Sequence, residues 1–111
     1  MNEPTRAAAA AAALSLALKT PVLRVFSLDQ LVYVSLELRP ANLAPCARML
    51  TPGRPSGWFE GPDVLIEIQV AGRGEFVGFD HLTGQRFEVA VGGGSAEVYD
   101  GASGLSYAFT R

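Results

Sequence analysis

His81 is the single histidine of the chain and the residue best suited to general acid–base catalysis near neutral pH. It follows Asp80, its only acidic neighbour in the sequence, in a segment with the composition of a hairpin loop. An isolated loop histidine is more often solvated than catalytic. The sequence contains neither a G-x-S-x-G nucleophile motif nor an H-E-x-x-H zinc motif. We therefore expect a protein that is not an enzyme, with His81 in solvent.

Other residues whose side chains could take part in catalysis or binding also have simpler interpretations. Cys46 is the only cysteine, so it forms no internal disulfide, and with a single histidine it cannot complete a structural zinc site. We expect it to be a small buried apolar residue. Glu67, Glu75 and Glu88 are carboxylates of the kind that cleave glycosides, but they fall on predicted outward positions and are expected in solvent. The run 92–95, GGGS, lacks the lysine and helix of a phosphate loop and predicts a hairpin turn. No cofactor or metal is predicted.

An internal repeat is the most specific pattern in the sequence. Residues 79–89, FDHLTGQRFEV, align with residues 99–109, YDGASGLSYAF. Each copy predicts a β-hairpin in which the aspartate accepts backbone N–H bonds and the glycine adopts a positive φ. We expect the two aromatic residues of each copy to pack as a cross-strand pair. Because each loop offers one carboxylate and calcium needs six or more oxygen ligands, turn chemistry is favoured over ligand binding.

A second candidate site is the segment 54–60, RPSGWFE, which contains the only tryptophan. Its proline and glycine predict a loop, in which the adjacent rings of Trp58 and Phe59 point in different directions. Arginine and tryptophan dominate the binding hot spots of protein interfaces, which makes Arg54 a third candidate. The two rings either form a surface for a partner or fold back to cover an open end of the sheet.

Composition and charge narrow the class of protein. With 49% hydrophobic and 18% charged residues, the chain is predicted to fold as one domain over residues 1–111. Nine basic and eleven acidic residues give a net charge of −2, with the two signs interspersed. A nucleic-acid-binding surface needs a basic patch, so nucleic acid is not a predicted partner.

The N-terminal segment predicts a helix from about residue 4 to residue 19, within an N-terminal region at 1–20. The alanine run at 7–13 has the highest helix propensity, and Asn2 is a suitable N-cap. Leu14 and Leu18 share one helical face with two of the alanines. This shallow alanine–leucine stripe is a candidate surface for packing on the sheet or on a second copy.

The same segment also has the features of a secretory signal peptide cleaved near residue 17, which would make the protein exported. We favour the helix of a cytoplasmic protein, because Glu3 offsets Arg6 and the apolar run is mostly alanine. A transmembrane helix needs about 20 apolar residues, so no membrane partner is predicted.

From residue 21 to residue 111 the pattern is that of short β-strands. The alternation in residues 32–39 predicts a half-buried strand with its even-numbered residues inward. Residues 41–62, rich in proline and glycine, predict an irregular loop with a helical turn at about 43–50. Links of hairpin length favour an antiparallel meander. The predicted strands are 22–28, 32–39, 64–70, 75–80, 86–91, 96–100 and 105–110.

These observations predict an α+β fold: an alanine-rich helix packed on an antiparallel β-meander, either a bent sheet or a small, partly open barrel of six to seven strands. The predicted function is a non-enzymatic interaction or assembly protein, such as a structural subunit, an adaptor or a small inhibitor, including phage-encoded ones. It would bind a protein partner or itself through an open sheet edge and through Leu14, Leu18, Arg54, Trp58 and Phe59. The alternative is a small-molecule-binding barrel or simple enzyme, with a pocket lined by Trp58, Phe59, Tyr99 and Tyr107 and His81 at its rim.

Overall fold

The computed structural model describes residues 1–40 and 56–111. Its helix α1, Glu3–Leu18, lies within one residue of the predicted bounds. The Asn2 side chain caps the helix, since its Oδ1 accepts the N–H of Thr5 at 2.7 Å, and Pro4 occupies the first turn, where an amide is not needed. The helix ends at Lys19, which adopts the left-handed conformation with φ 54°.

Nine strands follow within the described residues, and all their pairings are antiparallel. The α+β class is confirmed, whereas the predicted number of strands, six to seven, is too low. Even without the two-residue β3, eight strands remain. The strands are β1 Arg24–Ser27, β2 Val32–Ser35, β3 Arg39–Pro40, β4 Ser56–Gly61, β5 Val64–Gly72, β6 Glu75–Asp80, β7 Gln85–Gly92, β8 Ser95–Asp100 and β9 Leu105–Thr110.

The strand order shows how the sheet curls. From β3 to β9 the strands form the predicted meander, but the β1–β2 hairpin joins it through pairing of β1 with β9, giving the order β2-β1-β9-β8-β7-β6-β5-β4-β3. The two edges, β2 and β3, are consecutive in the chain and are linked by residues 36–38. A fully extended link of this length spans roughly 14 Å. The two edges are therefore close together, and the sheet forms a curled half-barrel.

Helix α1 fills the hollow of this half-barrel. All seven alanines at 7–13, and Leu14 after them, are at most 1% exposed, because α1 contacts β1 and every strand from β5 to β9. Alanine is the smallest helix former, so strands can approach the helix from several directions. Of the two expectations for the alanine–leucine stripe, packing on the sheet is the one observed for its alanines and Leu14, because a helix with similar small residues on every face is enclosed by the sheet.

Most strand predictions match the structure, with two clear errors. The strands predicted at 75–80 and 105–110 have the observed bounds, and those at 64–70, 86–91 and 96–100 are each short by one or two residues at an end. The strand predicted at 32–39 ends at Ser35, and Val32 is exposed, whereas Val34, Leu36 and Leu38 are half-buried as the alternation predicted. Residues 56–61, predicted as loop, form β4 paired along its whole length with β5. The predicted helical turn at 43–50 and the burial of Cys46 lie outside the described residues.

The predicted hairpin repeat is confirmed. Asp80 accepts the N–H of Leu82 at 2.9 Å on its side chain and the N–H of Gly84 at 2.8 Å on its carbonyl, and Gly84 has φ 75°. The second copy repeats the pattern, because Asp100 accepts the N–H of Ala102 on its side chain and that of Gly104 on its carbonyl.

The predicted aromatic pairs within the repeat are wrong. Phe79 lies opposite Arg86, while Phe87 lies opposite Gly78. In the second copy, Tyr99 and Tyr107 likewise lie one step out of register, with Tyr99 opposite Ser106 and Tyr107 opposite Val98. Neighbouring residues of a strand point to opposite faces, so the two rings of each copy lie on opposite sides of the sheet.

A third copy of the turn joins β1 to β2. The carbonyl of Ser27 accepts the N–H of Leu31 at 2.8 Å, and its hydroxyl accepts the N–H of Gln30 at 3.2 Å. Leu31 has φ 58° and takes the place that glycine occupies in the other two turns. Serine replaces aspartate and leucine replaces glycine, so the sequence pattern did not identify this copy.

Candidate functional site

Within the described residues, strand β2 is an edge of the sheet, with β1 as its neighbour. The N–H of Leu36 donates to Leu23 of the neighbouring segment at 2.7 Å. Because hydrogen-bonded and non-hydrogen-bonded pairs alternate along an antiparallel ladder, Val34 also faces β1. The N–H and C=O groups of Tyr33 and Ser35 point the other way. Within the described residues β2 pairs with β1 alone, so these four groups lie open at the edge.

The residues around this edge are apolar and exposed. Leu31 is 72% exposed and Tyr33 is 57% exposed, and Leu23, Leu28 and Val32 each expose about half of their surface. We call β2, Val32–Ser35, together with Leu31 the β2 edge. The residues of β2 include no charge, proline or glycine. Natural sheets commonly protect an exposed edge with such residues, and β2 has none of them.

The ring of Tyr33 is held in place on the outer face of the sheet. It contacts Phe26 edge-on, with ring centroids 4.9 Å apart, and the guanidinium of Arg24 lies 4.3 Å from its centroid. A ring fixed between two neighbours loses little freedom when a partner covers it. Tyr33 is therefore suited to be the anchor of a contact surface.

The opposite edge, β3, differs in each of these respects. It has two residues, Arg39 and Pro40, and pairs with β4. A proline cannot donate a backbone hydrogen bond, and a charged residue is costly to cover. A charged residue and a proline both disfavour strand pairing, so the described residues of the two edges have opposite character.

His81 does not lie free in solvent as predicted. It is mostly buried, and its Nε2 lies 2.7 Å from Oε1 of Glu67 on β5. A carboxylate only accepts hydrogen bonds, so Nε2 carries the proton. Phe79 contacts the imidazole edge-on at 4.7 Å.

Glu67 was predicted to lie in solvent and instead is 1% exposed. Its second oxygen, Oε2, is buried without a hydrogen-bond partner among the described residues. The other two candidate glutamates, Glu75 and Glu88, are exposed as predicted. Glu67 lies on β5 and His81 in the turn after β6, so their separation in the sequence gave no signal of the pair.

A second buried carboxylate, Asp100, lies near the N-terminal end of the helix. The ammonium of Met1 is 3.3 Å from its Oδ2, and the guanidinium of Arg6 is 3.5 Å from the same atom. Burial alone would raise the pKa of Asp100. The N–H of Ala102, the ammonium of Met1 and a further turn N–H more than offset that burial, so this pKa lies below its ordinary value.

The predicted interface residues lie in different places. Leu14 is fully buried within the chain and leaves no surface for a partner, whereas Leu18 is half-buried. Phe59 is half-buried on β4 and packs against the core. Arg54 and the side chain of Trp58 lie outside the described residues. The structure thus brings no two of these five residues together in an exposed site among the residues it describes.

The aromatic pocket of the alternative prediction is also not formed by the described side chains. Tyr99 lies on the outer face of the sheet, while Tyr107 contacts Arg6 at 4.0 Å near the N-terminus of the helix. Phe59 lines a cleft at the other end of the helix. Phe59, Tyr99 and Tyr107 line three different clefts among the described residues, and His81 lines none of the three.

Searches for metal sites, membrane spans and relatives give no further assignment. The described residues include no group of three or more His, Cys, Asp or Glu side chains placed to hold a metal ion. In residues 1–40 and 56–111, no helix has the length and apolar character needed to cross a membrane. Comparison with protein families, characterised proteins and solved structures finds no match to this chain.

Proposed function

We propose that this protein is a non-enzymatic assembly module that pairs with a second copy of itself through the β2 edge. The observation that carries the proposal is the contrast between the two edges of one sheet. The described residues of β3 are a charged residue and a proline, whereas β2 is uncharged, has open backbone groups and is flanked by exposed apolar residues. Strand addition at an open edge is a common mode of protein recognition.

The β2 edge is complementary to itself. When two copies pair antiparallel about a two-fold axis, Val34 can lie opposite Val34 of the second copy. Tyr33 of each copy then lies opposite Ser35 of the other. Because a hydrogen-bonded pair exchanges both of its N–H···O bonds, this register satisfies all the open groups of Tyr33 and Ser35. No charge is brought opposite a like charge within the five paired residues, 32–36.

The expected interface is small. Five paired residues on each side, 32–36, with Leu31 beside them, belong in the class of interfaces below about 1,200 Å² of total buried area. Contacts of this size are weak, so association should depend on concentration. The finer roles considered from the sequence, an adaptor, an inhibitor or a phage protein, stay predictions.

Sedimentation equilibrium over a concentration series tests the proposal. The wild-type chain should form dimers as its concentration rises. Ser35→Pro removes an N–H that faces the open edge and leaves the bonds to β1 intact, so it should weaken dimerisation at least about tenfold. Ser35→Ala keeps the N–H and is the matched control, expected to dimerise like the wild type.

A second pair of variants tests the side chains. Tyr33→Lys places a charge on the edge and should abolish dimerisation, whereas Tyr99→Lys places the same charge on the outer face of β8 and should not. A wild-type chain that stays monomeric at millimolar concentration would refute the proposal. So would a dimer that is insensitive to Ser35→Pro and Tyr33→Lys, because its interface would lie elsewhere.

A further inference from the structure

A cleft of about 310 Å³ opens at the C-terminal end of α1, on the side where the two edges of the sheet approach each other. It lies between the last turns of the helix, the segment that leads into β1, the link from β2 to β3, and β4. Small-molecule sites start at roughly 300 Å³, so the cleft has room for one small ligand. Its described lining includes Ser15, Leu16, Lys19, Val22, Leu38 and Phe59.

The walls of this cleft are almost entirely apolar. The hydroxyl of Ser15, one of its few polar groups, is already engaged, since it donates to the carbonyl of Ala11 at 2.7 Å and accepts the N–H of Val22 at 2.9 Å. Both bonds hold the segment before β1 against the helix. They leave a wall suited to an alkyl chain rather than to a polar molecule.

Lys19 is the one ionisable residue among the described lining residues. It is exposed, and it forms no ion pair with any residue in the described part of the chain. It also occupies a left-handed position, φ 54°, which glycine would adopt without strain. Strained residues of this kind often lie at functional sites. Lys19 is moreover the only lysine among nine basic residues.

We infer that the cleft binds a single-chain amphiphile with an anionic head group, of the medium-chain fatty-acid class. The alkyl chain would lie along Leu16, Val22 and Phe59, and the carboxylate would lie at the ammonium of Lys19. The apolar walls favour an alkyl chain, and the unpaired ammonium of Lys19 favours a negatively charged head group. This site is separate from the open groups of Tyr33 and Ser35.

Titration with dodecanoate below its micellar concentration tests the inference, with binding measured by calorimetry and the site located by amide NMR shifts. Dodecyltrimethylammonium has the same alkyl chain and the opposite charge. Dodecanoate should bind more tightly than this cation, by up to about fivefold, because a partly exposed ion pair is worth up to about that factor. The amide shifts should centre on Leu16, Val22 and Phe59.

Two variants separate the role of the charge from that of the backbone. Lys19→Gly removes the cation and suits the left-handed position, so the fold is retained while the preference for dodecanoate is lost. Lys19→Arg keeps the charge and should keep the preference. Equal binding of the two amphiphiles by the wild type, no binding at all, or shifts centred away from the cleft would each overturn the inference.

Performing these titrations on the Ser35→Pro variant at low concentration keeps the result independent of assembly. Dodecanoate should bind this variant as it binds the wild type. If the dissociation constant of dodecanoate differs by more than about threefold between the wild type and Ser35→Pro, the cleft site is not separate from the β2 edge.

Discussion

Replacing His81 by alanine should destabilise the protein strongly, although the histidine lies in a surface turn. The imidazole is the only described hydrogen-bond partner of the Glu67 side chain, at 2.7 Å, and Glu67 is 1% exposed. Its other oxygen, Oε2, already has no partner among the described residues. After His81→Ala, neither oxygen of this buried carboxylate would have a hydrogen-bond partner among the described residues.

The size of the effect follows from that burial. Leaving a buried hydrogen-bond acceptor without its partner costs about 1–3 kcal/mol, and more for a charged group, so we expect about 2–3 kcal/mol for His81→Ala. For a domain of this length, the melting temperature should fall by roughly 10 °C. His81→Gln can still donate an N–H to Glu67, so it should cost about 1 kcal/mol or less.

A double-mutant cycle measured by urea unfolding separates the pair from its surroundings. In the Glu67→Leu background the buried carboxylate is absent, so adding His81→Ala should cost much less than it does in the wild type. A loss below about 0.5 kcal/mol for His81→Ala in the wild type, or an equal loss in both backgrounds, would refute this account of the pair.

Three further predictions concern single positions. A Cβ at Gly78 would lie 2.2 Å from the buried ring of Phe87 and 2.6 Å from a backbone carbonyl, so Gly78→Ala should cost at least about 2 kcal/mol in urea unfolding. The matched change Gly92→Ala meets no atom within 4 Å, and an equal cost there would contradict the packing argument. Leu31→Gly removes the strain of a leucine in the left-handed conformation, φ 58°, so the free energy of unfolding should rise by about 1 kcal/mol in thermal unfolding. The same change should weaken dimerisation. A loss of stability would show that this φ is not strained. The pKa of Asp100 is lower in the folded chain, so its stabilisation is present above the unfolded pKa and is lost as pH falls through the folded value. Asp100→Asn should therefore flatten the dependence of unfolding free energy on pH between about pH 5 and pH 2, and an unchanged slope would contradict this role.

Local chemistry made part of this fold predictable from the sequence. The turns that begin at Asp80 and Asp100 depend on a carboxylate, a glycine and their spacing, all of which lie within five residues. The cap at Asn2 and the alanine run likewise act within one or two helical turns. Predictions based on these features located the helix and the late strands closely.

Features that depend on residues distant in the sequence were not predictable in this way. Alanine has the same small side chain on every face of the helix, so no stripe indicated that a sheet would enclose it. The pairing of β1 with β9 and the contact of His81 with Glu67 join separate segments. At the third turn, Leu31 adopts the left-handed conformation that glycine adopts in the other two turns. Without a glycine at this position, the sequence pattern did not identify the third turn.

The open edge of the sheet was anticipated from the sequence, but its location was not. Residues 32–39 alternate as a half-buried strand, yet pairing with β1 ends after Ser35 and Leu36. Which of nine strands lies at an edge depends on the whole strand order. Tyr33 therefore became a candidate only once the neighbours of β2 were known.

Hydrogen exchange of individual β2 amides, measured by NMR at low and high protein concentration, tests the proposed assembly most directly. The amide of Val34 faces β1 and should be protected at both concentrations, which makes it the internal control. The amides of Tyr33 and Ser35 should exchange rapidly in the dilute sample and become protected in the concentrated one. If these two amides exchange at the same rate at every concentration, β2 does not pair with a second copy and the central claim is contradicted.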